Sequence, residues 1–307
     1  MPFTNINIKS KTIFEDIIKN IFKSSALFSI LITVSIVIIL VKDSLVFFSD
    51  ISVIEFFTET SWNPTIKPEK FGIWPLMSGT LLFTFTTALI ALPIGLLTAV
   101  FLSEYVSSGI RKVLKPFLEL LAGLPTVVYG FFALVYITPF LRNVFPAIQA
   151  FNVLSASIVV AIMIIPTIAS LSEDAMKAVP FYLRAASYSL GGNKYETSAK
   201  VVIPAALSGI VSSFILGISR AIGETMAVTI AAGNLARMVN PLNPGDAFLK
   251  PIQTMTAAMV EIGMSDVTGD SIAYKSLFAI GLTLFCMTLL MNFLSQYFKE
   301  KFKNKYK

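Results

Sequence analysis

Residues 205–233 read AALSGIVSSFILGISRAIGETMAVTIAAG. A bilayer core about 30 Å thick needs about 20 apolar residues in a helix. This stretch exceeds that length and carries only two charges, Arg220 and Glu224. Five further apolar blocks lie near 25–41, 77–102, 117–140, 153–172 and 273–297. Of the 307 residues, 55% are hydrophobic and 14% charged. A soluble domain carries about 25% charged residues, so a water-facing surface is excluded. A membrane barrel would show short alternating segments instead. The expected fold is therefore all-α, a polytopic membrane bundle of about six transmembrane helices.

Charge orients the frame. Lys9, Lys11, Lys19 and Lys23 precede the first block; Arg111, Lys112 and Lys115 follow the second. Lys177, Arg184, Lys194 and Lys200 follow the fourth, and Lys299, Lys301, Lys303, Lys305 and Lys307 end the chain. These regions hold 16 of the 24 basic residues, whereas the alternate loops hold six. An excess of Lys and Arg marks cytoplasmic loops, so both termini are expected in the cytoplasm. The net charge of +6 serves topology, and with no continuous basic patch nucleic acid is not an expected partner. Trp62 and Trp74, in the outer loop near 42–76, suit an interfacial belt. The second long outer loop, near 234–272, contains the turn cluster Asn240–Gly245.

The chain has no histidine and one cysteine, Cys286, inside an apolar block. Histidine-based acid–base chemistry and a cysteine–histidine metal site are excluded. With no paired carboxylates and no nucleophile–base set, no catalytic residues and no metal ligands are assigned, and the chain reads as a non-enzyme. The N-terminus lacks the pattern of a cleavable signal. Ile13, Ile17 and Ile21 recur at helical spacing beside Phe14, Ile18 and Phe22. That fits a surface-lying amphipathic helix or an extension of the first crossing helix. Three divisions follow: 1–69 with the first crossing helix and first outer loop, 70–300 as the transmembrane core, and the basic tail 301–307.

The polar loop at 173–204 reads as helix, glycine break at Gly191-Gly192, then a second short helix over Lys194–Val202 before Pro204. Ala185-Ala186-Ser187, three residues, Gly191, nine residues, Val201, then Ile203-Pro204 resembles the EAA loop of ABC-importer permeases, with Glu196 inside it. The resemblance implies a coupling helix seated on a cytoplasmic ATPase. The usual Glu of the motif is Ala185 here, so a salt contact from that position is not carried over. The chain has no G-x-x-x-x-G-K-[ST] loop; no cofactor is expected in it, and ATP with magnesium belongs to the partner.

Charges at bilayer depth cost roughly 3 kcal/mol each and usually face a bundle interior or an aqueous path. Arg220 and Glu224 are spaced i, i+4 and are expected on one helix face. A guanidinium fork fits a tetraoxyanion bidentately; Glu224 would steady it and Thr225 would add a hydroxyl. The competing reading is a self-neutralised pair joining two helices. Glu119, Pro125 and Thr126 suggest a hinge or pathway wall near the Gly123-Leu124-Pro125 break, since Pro125 frees a backbone carbonyl. Alternatively, Glu119 caps its helix or pairs with Lys115.

Arg220–Val228 (RAIGETMAV), followed by Ala232-Gly233-Asn234, resembles the fifth-helix signature of PstC-type permease subunits of bacterial phosphate-specific ABC transporters. Glu119–Gly130 (ELLAGLPTVVYG), Pro75–Thr80 and Met163–Pro166 match the same family, over about residues 70–300. The resemblance implies a type I, MetI-like permease in the bacterial inner membrane. It also implies pairing with a PstA-like permease, a PstB-like ATPase dimer and a PstS-like phosphate-binding protein. Sulfate or molybdate remains an alternative cargo. A secondary transporter would call for paired inverted halves with broken helices, and none are found.

Overall fold

The computed structural model describes residues 8–240 and 242–303. Pro241, the side chains of Ile13 and Phe14, and those of the basic tail lie outside the described residues. The first apolar block is the centre of a single helix, α1 (Ile8–Asp50). The N-terminal segment is thus an extension of the first crossing helix, with Ile17, Ile21 and Phe22 exposed on it. A continuous helix keeps every backbone group paired where lipid offers no partner.

Helix α2 (Val53–Thr58) is capped by the Ser52 side chain. Strands β1 (Trp62–Asn63) and β2 (Lys70–Phe71) form a small antiparallel hairpin. Trp62 does not join an interfacial belt. It is buried edge-on against Phe71, beside Phe47 and Phe56. Trp74 is more open, and its indole N–H donates to the Phe57 carbonyl at 2.6 Å. A Cβ on Gly72 would stand 2.1 Å from the Glu59 carbonyl oxygen, so only glycine closes this hairpin.

Helix α3 (Trp74–Val100) ends in a π-helical turn over Phe101–Tyr105, closed by Val106 N–H on the Phe101 carbonyl. The third apolar block is not one straight crossing. It comprises α4 (Ser108–Ala122) and the run formed by α5 (Thr126–Phe132), a π turn and α6 (Thr138–Arg142). The two limbs meet at 86°. Helix α7 (Val153–Lys177) starts at Asn152, whose side chain accepts from Ser155 N–H.

Helices α8 (Phe181–Ser189) and α9 (Lys194–Thr197) follow. The chain does not stop before Pro204: α9 passes through a π turn over Ser198–Val202 into α10 (Ile203–Ile222). Proline lacks an N–H for the helical ladder, and the widened turn ahead of it absorbs that loss. Then come α11 (Met226–Ala232), α12 (Pro244–Leu249), α13 (Met255–Met264) and α14 (Ile272–Lys303). By length and composition, five helical runs suffice to cross a membrane, and the bent pair makes a sixth.

Helix α7 is the hub. Val159, Val160, Met163, Ile164 and Ile168 are fully buried on it. Apolar side chains gain little by leaving lipid, so membrane helices associate through small residues and close contact. Ile168 shows this geometry: it fills the space that a Cβ would need on both Gly95 of α3 and Gly217 of α10. Ser172 and Ser213 add a buried hydroxyl–hydroxyl bond of 2.6 Å between α7 and α10. Helix α1 packs along α14, tied at one end by Asp50 and Lys275 at 3.5 Å. Cys286 is exposed on α14.

Candidate functional site

Two spans break at glycine, and the breaks meet. Helix α4 ends at Ala122, and α5 begins after Gly123-Leu124-Pro125, with Pro125 at its N-cap. Helix α10 ends at Ile222, and α11 begins after Gly223-Glu224-Thr225. A helix end leaves carbonyls without partners, and in lipid each must find one. Tyr129 Oη donates to the Leu121 carbonyl at 2.7 Å. Arg220 Nη2 donates to the Ala122 carbonyl at 3.1 Å, and Nη1 to Thr167 Oγ1 at 3.2 Å. One guanidinium therefore joins α10 to the broken end of α4 and to α7.

The expected Arg220–Glu224 pair does not form. Among the described residues no ion pair involves either one. The i, i+4 rule presumes continuous helix, and Gly223 ends α10 between them. Glu224 is 7% exposed. It turns away to accept from Ala227 N–H at 3.1 Å, capping α11. Its carbonyl accepts from Thr256 Oγ1 of α13 at 2.9 Å. Thr225 Oγ1 donates locally to the Gly223 carbonyl. Both partners of the half-buried Arg220 are neutral oxygens, a hydroxyl and a backbone carbonyl.

Glu119 is exposed on α4 and does not pair with Lys115. That ammonium instead reaches Glu173 Oε2 at 3.0 Å and Asp174 Oδ1 at 2.5 Å. Glu173 is fully buried, with Lys177 also on it and Arg111 at 3.8 Å. Pro125 is exposed and Thr126 half-buried at the bend. Helix α4 buries none of its residues, so the broken face is open in the single chain.

The loop between α7 and α10 builds its turn locally. Gly191 has φ 86°, a left-handed conformation that suits glycine. Gly192 N–H reaches the Ser187 carbonyl and Gly191 N–H the Tyr188 carbonyl, both at 3.0 Å. This is the paired closure of a Schellman end. Asn193 and Glu196 then form a reciprocal capping box, which satisfies two N–H groups at once. Glu196 is thus explained by capping, with Lys200 beside it at 3.4 Å. Ser187 and Thr197 hydroxyls join α8 to α9 at 2.8 Å. Ala185 and Ala186 lie in the middle of α8. Pro204 lines a groove of about 640 Å³ with Val179, Leu183 and Lys200.

Sequence reasoning did not find Thr167, Tyr129 or Thr256 as partners of the breaks. Their contacts span 53, 8 and 32 residues. Only Tyr129, two turns after Leu121, carried a local signal.

Comparison with known proteins agrees with this architecture. A family model described as "Binding-protein-dependent transport system inner membrane component" matches residues 91–304. The probable ABC transporter permease protein YqgH of Bacillus subtilis is 37% identical over 253 residues, 82% of this chain and 80% of that protein. The phosphate transport system permease protein PstC of Mesorhizobium japonicum is 33% identical, covering 79% of this chain and 77% of its own. The Haemophilus influenzae PstC is 30% identical over 91% and 92%. Among solved structures, an alginate ABC transporter bound to its periplasmic protein aligns with TM-score 0.60 at 12% identity, over 92% of this chain and 96% of its own. The inward-facing MetNI methionine ABC transporter aligns with TM-score 0.55 at 17% identity, over 75% and 94%. The chain belongs to the binding-protein-dependent transport system inner membrane components: it is a multi-pass permease subunit of an ABC importer, working with a separate ATPase and a substrate-binding protein.

Proposed function

We propose that this subunit forms half of a translocation path for inorganic phosphate, with Arg220 as its anion contact. The observation that carries the reading is the state of Arg220. It is a guanidinium at a helix break within the apolar frame, held by a carbonyl and a hydroxyl, and among the described residues no carboxylate pairs with it. A permanent charge kept at such a cost, with fork geometry suited to a tetraoxyanion, fits transient anion binding. The PstC relatives named above are phosphate permeases by name, and that supports phosphate as cargo.

The open face of α4 and α5 suits pairing with a PstA-like permease, which places the path between two chains. The α8–α9 loop is the proposed seat for a PstB-like ATPase dimer. Phe181, Tyr182, Leu190 and Tyr195 stand exposed on it, while its backbone is fixed by the Schellman end and capping box. A PstS-like protein would dock at the opposite end, on the loops around β1–β2 and α12–α13. The excess of basic residues on the α8–α9 side supports a cytoplasmic position for that side and for both termini. Glu224 shapes the start of α11 rather than steadying the fork.

Cargo is tested by radiolabelled phosphate uptake into liposomes that hold the whole complex with loaded binding protein inside the assay. Excess sulfate or molybdate should leave uptake unchanged. Competition by either anion, at concentrations that spare the binding protein, would assign the path to another oxyanion.

A further inference from the structure

The loop proposed to meet the ATPase is covalently joined to α7 and α10. It has no chain connection to α3, yet both of its helices grip the end of α3. Arg184 on α8 donates from Nη2 to Glu104 Oε1 at 2.9 Å and from Nε to Glu104 Oε2 at 3.4 Å. Glu104 lies in the π turn that ends α3, and Ser103 Oγ donates to the same carboxylate. The side chains are 14% and 6% exposed. A largely desolvated pair is strongly disturbed when one partner is removed. Lys194 on α9 places its ammonium 5.0 Å above the Tyr105 ring, in the same turn.

The arrangement exceeds what capping requires. Arg184 also donates to the Met176 and Val179 carbonyls at 2.8 Å. Those two bonds finish the end of α7 and need no carboxylate. The Glu104 contact serves a different element, 80 residues away. It also falls in a π turn, where an inserted residue weakens the helical ladder and which often marks functional sites. A joint at that point moves the end of α3 with α8 while the helix above keeps its packing on Ile168.

We infer that Glu104 and Arg184 are positioning residues for transport: their ion pair is the joint through which motion of the α8–α9 loop reaches α3. The inference rests on the reading of that loop as the ATPase seat. The test uses the complete complex in liposomes, with radiolabelled phosphate and loaded binding protein. It reads three things: ATPase co-purified, hydrolysis rate, and phosphate moved per ATP. Coupling residues typically shift such ratios by a few-fold to about thirty-fold. Glu104→Gln should keep the ATPase bound and hydrolysing within about two-fold, while phosphate per ATP falls about five-fold or more. Glu104→Asp, which keeps the charge, should retain most of the ratio.

A wild-type ratio in Glu104→Gln overturns the joint. If that variant fails to accumulate in the membrane, Arg184→Lys carries the same test: it keeps a charge but loses the fork, and an unchanged ratio again overturns the proposal. Leu190→Asp and Tyr195→Asp test the seat itself. If the ATPase still co-purifies and hydrolyses normally in both, the seat reading falls and the joint with it. If the ATPase is released but Glu104→Gln transports normally, only the joint falls.

Discussion

The chain breaks its helices at glycine in two settings, and it satisfies the exposed backbone differently in each. At Gly191-Gly192, outside the apolar blocks, every repair is local. The carbonyls of Ser187 and Tyr188 take the two glycine N–H groups, and Asn193 and Glu196 cap the next helix. At Gly123 and Gly223, inside the apolar frame, local bonds such as Glu224 on Ala227 N–H are joined by side chains from farther along the chain. Tyr129 serves Leu121, Arg220 serves Ala122 across 98 residues, and Thr256 serves Glu224 across 32. A break in water can afford any partner, because solvent stands in. A break in lipid must recruit protein groups, and recruiting them ties distant helices together.

The largest effect expected from this contrast is at Arg220. Arg220→Ala leaves the Ala122 carbonyl and the Thr167 hydroxyl without their donor. Loss of donors to buried polar groups costs about 1–3 kcal/mol each. The purified complex should melt several degrees lower, with uptake abolished; an unchanged melting curve would show that the break needs no latch.

Tyr129→Phe removes one donor from the same break and no charge. It should destabilise the detergent-purified chain by about 1–3 kcal/mol, with uptake reduced less than in any Arg220 variant. Uptake lost as fully as in Arg220→Ala would make helix-end capping, not charge, the essential feature.

Gly191→Ala should show the weaker dependence of the local break. Left-handed backbone costs a side-chain-bearing residue about 1–2 kcal/mol, confined to the end of α8. Proteolytic nicking near residue 191 should rise while the global melting temperature barely moves. A drop matching that of Arg220→Ala would erase the distinction between the two settings.

The smallest effect is at the loop before α12. The Asp246 carboxyl is held below its ordinary value of 3.8 by the hydrogen bond from Lys250; Arg237 adds its charge against the opposing push of burial. A depressed folded-state pKa gives stability that is present above the unfolded value and is lost as pH falls through the folded one. Protection of residues 237–250 from hydrogen exchange should therefore weaken below about pH 4. Asp246→Asn should remove that pH dependence, and a dependence that survives it would point to another group.

What was legible in the sequence follows the same division. The apolar blocks declare themselves by length, and the Gly191-Gly192 turn by neighbours a few residues away. Gly123-Leu124-Pro125 is visible as a break, but its 86° bend is set by packing of α5 on α11. The Arg220–Glu224 pairing failed for a specific reason. Spacing of i, i+4 brings side chains together only while the helix continues, and Gly223 stops it. Likewise, the extension of α1 through Asp50 is set by packing on the distant α14, and the burial of Trp62 by the hairpin that pairs it with Phe71. The joint at Glu104 was equally hidden, because its partner lies across the whole of α4 to α7.

The central claim is that Arg220 acts through its charge and not only as a latch. Arg220→Gln separates the two, since it removes the charge but keeps an N–H donor on α10, and the melting curve reports whether that shorter amide still holds the break. In liposomes holding the complete complex, the claim predicts normal assembly and near-normal melting with phosphate uptake reduced by about a hundred-fold or more, as expected when a charge-assisted contact of about 3 kcal/mol is lost. Wild-type uptake in that variant would contradict the claim and leave Arg220 as the latch of the broken span alone.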